Sequence, residues 1–455
     1  MAMFTKQKGS SSSTPSVFSR WLTSKVMNYL NSERYLIQSR KRHEKKRLRD
    51  GRGHIVEYFH QVDDGYSHLA IQALEKLKTR YDIEFKVHLV PSLKNDDFPE
   101  LELWRDMSRR DAANVAPYYG LSFNSTEALP DTRLVAIANA VLCRLRPDDF
   151  VSVGVEVSSF LWNNNEEGLK ELAEKYGSAS AEEVALALES GVSRRKKLKH
   201  YNTAMFYYEG EWYWGVDRLY HLENRLISLG ACKNSKSSLV APRPEIPEVF
   251  NDGAKELILE FFVSLRSPYT AIAWEPTIKL AKDSGINLVV RPVLPMVMRG
   301  VPASRAKKIY IATDSSREAK TLGVAFDNFY DPIGEPTLRG YSIYMWASQQ
   351  NKGNDFIGAF LNGVFARGIN ANSMSGMKSI VEMAGLRWDE ARHHLHDNSW
   401  ATTLETNRLA MYEFGNWGVP SYRLLNSNGK EILSAWGQDR LWLLAYKIRE
   451  LSQSR

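Results

Sequence analysis

Four residues in the second half of this 455-residue chain, Ser267-Pro268-Tyr269-Thr270, follow an apolar run and open a stretch with helical spacing. A hydroxyl at that point sits where the free N–H groups of a helix's first turn and the positive end of its dipole converge. A thiolate is stabilised in such a place, and Ser267 could donate a hydrogen bond to a thiolate carried in by a ligand. The same residues also read as a plain helix start, with Ser at the N-cap and Pro in the first helical position; the two roles are compatible. A second group, Trp417-Gly418-Val419-Pro420-Ser421-Tyr422, puts a proline at the entry to a strand. A cis Val419–Pro420 bond would leave the Val419 N–H and C=O facing a cleft, available to an extended, peptide-like ligand; the plainer reading is a strand-start proline. A third, Gly437-Gln438-Asp439-Arg440-Leu441, sets Asp439 at the start of a closing helix, either as a cap or as a carboxylate that receives an α-amino group. His393, His394 and His396 lack i, i+4 spacing and a second ligand cluster, so they read as a solvated helix face and no metal site is expected. There is no phosphate-binding glycine loop, no Gly-x-Ser-x-Gly elbow and no His-Glu-x-x-His.

The elements that must hold these residues occur twice. Trp214 precedes Gly215-Val216-Asp217-Arg218-Leu219 as Trp436 precedes Gly437-Gln438-Asp439-Arg440-Leu441. Upstream, Tyr58-Phe59 and then Asp64-Gly65-Tyr66-Ser67 match Phe261-Phe262 and then Ser267-Pro268-Tyr269-Thr270. Two marker pairs in one order argue for an internal duplication of about 200 residues. In the first copy, strands over 54–59 and 83–90 enclose a helix over 66–79. A mostly helical stretch follows over 98–199, with helices at 132–145 and 182–188. A hairpin comes next at 204–208 and 211–214, then a helix at 219–229 stopped by Gly230. In the second copy the strands are 257–263 and 286–293 around a helix at 269–284. Helices follow at 303–322, 340–366, 372–384 and 388–416, then a hairpin at 421–425 and 431–435 and a closing helix at 441–451. Strand–helix–strand, a helical insertion, then hairpin and helix is the thioredoxin order. The expected organisation is α/β: an extension over 1–53, a domain over 54–230, a proline-bearing linker over 231–253 and a second domain over 254–455.

The net charge of +7 belongs to the extension, since residues 1–53 carry 13 Lys/Arg and 3 Asp/Glu and the rest of the chain comes to −3. This weakens any claim that the folded body binds nucleic acid, which wants a basic face on the fold itself. Residues 1–15 are serine-rich and expected to be disordered; residues 16–50 have helical spacing and end in a run of Lys and Arg. Three readings of that segment compete: a solvated helix packed on the body, a surface contact with anionic lipid or nucleic acid, or a targeting signal. It lacks the apolar core and cleavage site of a secretory leader, while the absence of acidic residues before Glu33 keeps a mitochondrial-type presequence in play. No apolar run approaches the ~18 residues of a membrane span. Two distant cysteines, Cys143 and Cys232, exclude a disulfide framework and point to a reducing, cytoplasmic setting.

Over residues 255–453 the chain resembles the family of 2-hydroxychromene-2-carboxylate isomerase and kappa-class glutathione transferase, within the DsbA-like thioredoxin superfamily. The resemblance rests on pieces in family order. Phe261-Phe262-Val263-Ser264-Leu265-Arg266-Ser267-Pro268-Tyr269 resembles the first strand and catalytic serine. Arg291-Pro292-Val293-Leu294 resembles the second strand. Lys307, Tyr310, Asp314 and Arg317 come next, followed by Gly323-Val324-Ala325-Phe326. Gly418-Val419-Pro420 resembles the cis-proline loop, and Gly437-Gln438-Asp439-Arg440-Leu441 the closing motif. The resemblance implies two tandem DsbA-like domains and a glutathione-dependent isomerase or transferase acting on a small electrophile. It implies that Ser267 favours the glutathione thiolate. Glutathione would lie along Val419 and Pro420, with Gln438 and Asp439 at its γ-glutamyl end and Lys307 holding a carboxylate. Departures from the family pattern are Gln438 for the usual Asn, Arg266 before the serine, and a short segment from Met296 to Pro302; these bear on the substrate. The first half is similar more faintly over 54–229. Trp104-Arg105-Asp106-Met107-Ser108-Arg109 still matches, with Asp64 at the serine position and Thr203-Ala204 near the cis-proline position. A carboxylate there would repel a thiolate, so the first domain is expected to support or pair with the second. The alternatives are a non-catalytic scaffold and, against the missing cysteines, a thiol–disulfide oxidoreductase.

Overall fold

A computed structural model describes residues 15–93, 98, 100–124, 128–234, 238–249, 254–301 and 303–453; nearly all of the serine-rich start lies outside them. The chain divides into two compact units: residues 37–244, and residues 245–455 together with those up to Leu36.

In the first unit β1 (His54–His60) and β2 (Ile83–Leu89) are joined by α3 (Gly65–Arg80). The insertion holds α4 (Leu101–Val115), α5 (Thr132–Arg144), α6 (Pro147–Trp162), α7 (Glu166–Tyr176) and α8 (Ala181–Lys197). After it come β3 (Met205–Tyr208), β4 (Glu211–Trp214) and α9 (Leu219–Ser228). The sheet order is β2-β1-β3-β4, with β1 parallel to β2 and antiparallel to β3. Covered on both faces and paired on both edges, β1 is buried from Val56 onward, as a central strand of a mixed sheet must be.

The second unit repeats this plan. Strand β5 (Ile258–Val263), α10 (Pro268–Ser284) and β6 (Asn287–Pro292) lead into an insertion of α11 (Arg305–Leu322), α12 (Glu335–Gln349), α13 (Gly353–Phe365), α14 (Met374–Met383), α15 (Trp388–Ala391) and α16 (Trp400–Glu413). Strands β7 (Ser421–Leu425) and β8 (Glu431–Trp436) and helix α17 (Leu441–Gln453) complete it. The order is β6-β5-β7-β8 with the same strand senses. Phe261 on β5 stacks on Tyr422 of β7 at 4.9 Å, at the centre of this core.

Two helices expected as continuous are broken. The stretch 340–366 divides because Asn351 takes φ +58°, a left-handed turn that ends α12. The stretch 388–416 divides because the Ser399 N–H is captured by Asp397 Oδ1 at 2.8 Å, an Asx turn that competes with helix. A buried glutamate lies in each central strand: Glu57 meets Arg194 Nε at 2.7 Å and His88 at 2.8 Å, and Glu260 meets Arg291 and Arg423 at 2.5 Å each. Burial alone would push the Glu57 carboxyl up, but its hydrogen bonds to Arg194 and His88 hold it down at about 2. Residues 16–50 form α1 (Val17–Asn31) and α2 (Glu33–Arg49); Arg40 of α2 forks onto Glu211 of β4 in the first unit at 2.7 and 2.8 Å.

Candidate functional site

The site of the second unit is built at the start of α10. Ser267 is the N-cap, in extended backbone, and its Oγ accepts the Thr270 N–H at 3.1 Å; Pro268 opens the first turn. The same hydroxyl donates to the Val419 carbonyl at 3.3 Å, 152 residues away in sequence. The Val419–Pro420 bond is cis. The Pro420 carbonyl in turn accepts the Gly437 N–H at 2.9 Å, which ties the proline loop to the turn carrying Gln438 and Asp439. Gly418 is required in this loop, because a Cβ there would lie 2.6 Å from Trp436 Nε1. Gly437 is required too: its φ is +106°, and a Cβ would meet Asp439 Oδ1 at 2.5 Å.

The other residues singled out from the sequence have different surroundings. Asp439 keeps a small exposed edge and lies 3.7 Å from Arg440. Burial raises the Tyr422 hydroxyl well above its ordinary value, and the Asp439 charge adds to the rise. Gln438 is buried and its amide donates to Glu318 Oε2 of α11 at 2.8 Å, so its side chain is committed inside the protein. Lys307, in the first turn of α11, is largely buried, with its ammonium 5.4 Å from the Trp417 ring centre, a cation–π geometry. Arg266 forms a two-pronged pair with Asp331 at 2.7 Å on both arms. Burial would raise the Asp331 carboxyl and lower the Arg266 guanidinium; their mutual attraction outweighs it, leaving Asp331 below and Arg266 above their ordinary values. His394 stacks on Trp346 at 5.4 Å, and no group of three metal-ligating side chains occurs among the described residues.

The first unit has the same scaffold with other chemistry. Asp64 is the N-cap of α3 and takes hydrogen bonds from the Ser67 N–H at 3.0 Å, the Ser67 hydroxyl at 2.9 Å and the Thr203 hydroxyl at 3.3 Å. Thr203 precedes β3 by two residues, as Val419 precedes β7. Burial pushes the Asp64 carboxyl up to about 6, against the pull of the Ser67 hydrogen bonds. A pairing the sequence reading missed is shared by both units. Tyr66 donates to Asp111 at 2.8 Å and Tyr269 to Asp314 at 2.9 Å, each across 45 residues; that common spacing was the available signal. The same offset puts Trp104 where the second unit has Lys307. Trp104 is buried, stacked on Trp214 at 5.9 Å and close to Phe98 at 4.8 Å.

These features define a DsbA-like thioredoxin fold over the C-terminal half, and residues 258–449 match the family described as DSBA-like thioredoxin domain. Among curated proteins the chain is similar to 2-hydroxychromene-2-carboxylate isomerase of Pseudomonas putida, 24% identical over 198 residues that cover 41% of this chain and 92% of that protein. Among solved structures it is similar to a 2-hydroxychromene-2-carboxylate isomerase, at 21% identity, covering 43% of this chain and 97% of that one, with a TM-score of 0.37. It is also similar to a probable DsbA oxidoreductase from Streptomyces coelicolor, at 17% identity, covering 44% and 91%, with a TM-score of 0.35.

Proposed function

We propose that the second unit is a glutathione-dependent isomerase or transferase and that Ser267 donates its hydroxyl to the glutathione sulfur. The observation that carries this reading is the Ser267 hydroxyl at the N-terminus of α10, 3.3 Å from the backbone of Val419. With glutathione bound, the single Ser267 hydroxyl proton would turn from the Val419 carbonyl to the sulfur, which frees that carbonyl to accept an N–H of the ligand. The distant likeness to 2-hydroxychromene-2-carboxylate isomerase supports the same chemistry. The Asp439 carboxylate suits an α-amino group, and the buried Lys307 ammonium suits a carboxylate. The Gln438 side chain, turned to Glu318, leaves this residue to contribute through its backbone.

In this reading the glutathione sulfur adds to the β-carbon of a conjugated carbonyl while the C=C electron pair moves onto the carbonyl oxygen. The former double bond rotates, the pair returns, and the C–S bond breaks to release the thiolate. The site residues make the thiolate available: each pKa unit removed from the thiol is worth about 1.4 kcal/mol. In the first unit, the anion that Asp64 becomes on losing its proton and the bulk of Trp104 both oppose a bound thiolate, and we propose that it does not use glutathione.

Calorimetric titration with reduced glutathione tests this directly. The wild type should bind and Asp439→Ala should lose binding. Ser267→Ala should still bind while the thiolate's ultraviolet absorbance shifts to higher pH, with turnover of a conjugated electrophile lowered tenfold for each ~1.4 kcal/mol of lost stabilisation. Absence of heat at millimolar glutathione would sink the assignment.

A further inference from the structure

Helix α1 is inverted relative to an ordinary amphipathic helix. Its buried face is polar. Arg20 is only 2% exposed and donates to the Asp331 carbonyl at 2.6 Å. Ser24 donates to the Phe329 carbonyl. Asn28 donates to Asn328 at 2.9 Å and accepts the Phe329 N–H at 2.7 Å, and Ser316 of α11 donates to the Asn31 carbonyl at 3.3 Å. The outer face is apolar: Phe18 is 69% exposed and Tyr29 50%, with Trp21, Leu22 and Val26 also exposed. At about 100° per residue these five side chains span an arc of roughly 140°. Lys25 alone interrupts it, and its aliphatic stem can lie along such a surface while the ammonium reaches water. Residues of this kind are what a helix normally packs inward; here four directional polar anchors hold them out.

Charge and residue type indicate what covers them. From Met1 through Ser32 there is no Asp or Glu, and the next 17 residues contain eight Lys or Arg against two Glu. Trp and Tyr on an apolar face, in a segment whose charged residues are mostly Lys and Arg, are the composition of helices that lie at a lipid–water boundary. No helix of the described residues is long and apolar enough to cross a membrane, so an in-plane contact is the one this segment fits. We infer that α1 docks on an anionic lipid surface, with Phe18, Trp21, Leu22, Val26 and Tyr29 inserted between acyl chains. The adjoining Lys and Arg supply the attraction to the headgroups. This inference does not depend on the chemistry proposed for Ser267.

Flotation of the full chain with phosphatidylcholine vesicles, with and without phosphatidylserine, is the test. The wild type should rise with the anionic vesicles, less with neutral ones, and less as salt screens the attraction. The variant Phe18→Ser/Trp21→Ser/Leu22→Ser removes three exposed side chains, so its melting temperature should match the wild type while its bound fraction falls about tenfold or more. Failure of the wild type to float, or undiminished flotation of the variant, would overturn the inference. So would a concentration-dependent dimer, seen by light scattering and dissolved by the triple substitution, in a protein that vesicles do not recover; the face would then be covered by a second copy of the chain.

Discussion

Two N-cap residues on equivalent helices put different functional groups at the same point of each unit. Ser267 presents a neutral hydroxyl, whereas Asp64 presents a buried carboxyl whose pKa is raised from 3.8 to about 6 by burial. Because the folded-state value lies above the unfolded one, Asp64 contributes stability fully below the unfolded pKa and loses it as pH rises through about 6. Asp64→Asn keeps a capping oxygen and has no charge to desolvate. Urea unfolding should therefore show the variant gaining on the wild type between about pH 4 and pH 8, by roughly 2–3 kcal/mol. A difference that stays flat across that range would mean that the carboxyl ionises as readily folded as unfolded.

At the scale of elements, the site depends on three loops held at fixed spacing. The N-terminus of α10 meets the 417–420 loop through Ser267 and Val419, and that loop meets the 437–439 turn through Pro420 and Gly437. Gly418 is where the second loop packs on Trp436. Gly418→Ala would place a methyl 2.6 Å from the indole nitrogen, a clash that the loop or the Trp436 ring must shift to relieve. Overpacking of this kind costs about 1–3 kcal/mol. Thermal unfolding should register that loss, and glutathione affinity should fall with it; an unchanged affinity would show that the loop does not contact the ligand. The buried pair of Arg266 and Asp331 and the link from Tyr269 to Asp314 steady the α10 side of the same arrangement.

For the whole molecule, two units share a sheet order and strand senses, but the residues we propose for glutathione occur in one of them. Lys307 and Ser267 in the second unit correspond in position to Trp104 and Asp64 in the first. Glutathione should accordingly bind with a stoichiometry of one per chain. Ser267→Asp, which gives the second unit the first unit's cap, should abolish that binding and lower the melting temperature, because a carboxylate set against the Val419 carbonyl loses solvent and cannot make the hydroxyl's bond, while far-ultraviolet circular dichroism should stay that of the wild type. A stoichiometry of two, or residual binding in Ser267→Asp, would assign glutathione to the first unit as well.

The sequence by itself determined the order of elements, the doubled plan and the residues that gather at the start of α10, Ser267, Val419, Pro420 and Gly437. Those signals are local or repeated: apolar periodicity, turn residues, Ser-Pro at a helix start, and motifs that recur in the same order. It did not reveal the breaks at Asn351 and Asp397. There the helical pattern continues while single residues favour a left-handed turn or an Asx turn. Nor did it show that Glu57 and Glu260 are buried and gripped by cations, that Gln438 turns to Glu318, or that α1 buries its polar face. Each of these depends on a partner far along the chain. A carboxylate, an amide or a helix face carries no mark of its neighbour until the fold brings the two within hydrogen-bond distance, and only the tertiary structure decides which partner that is.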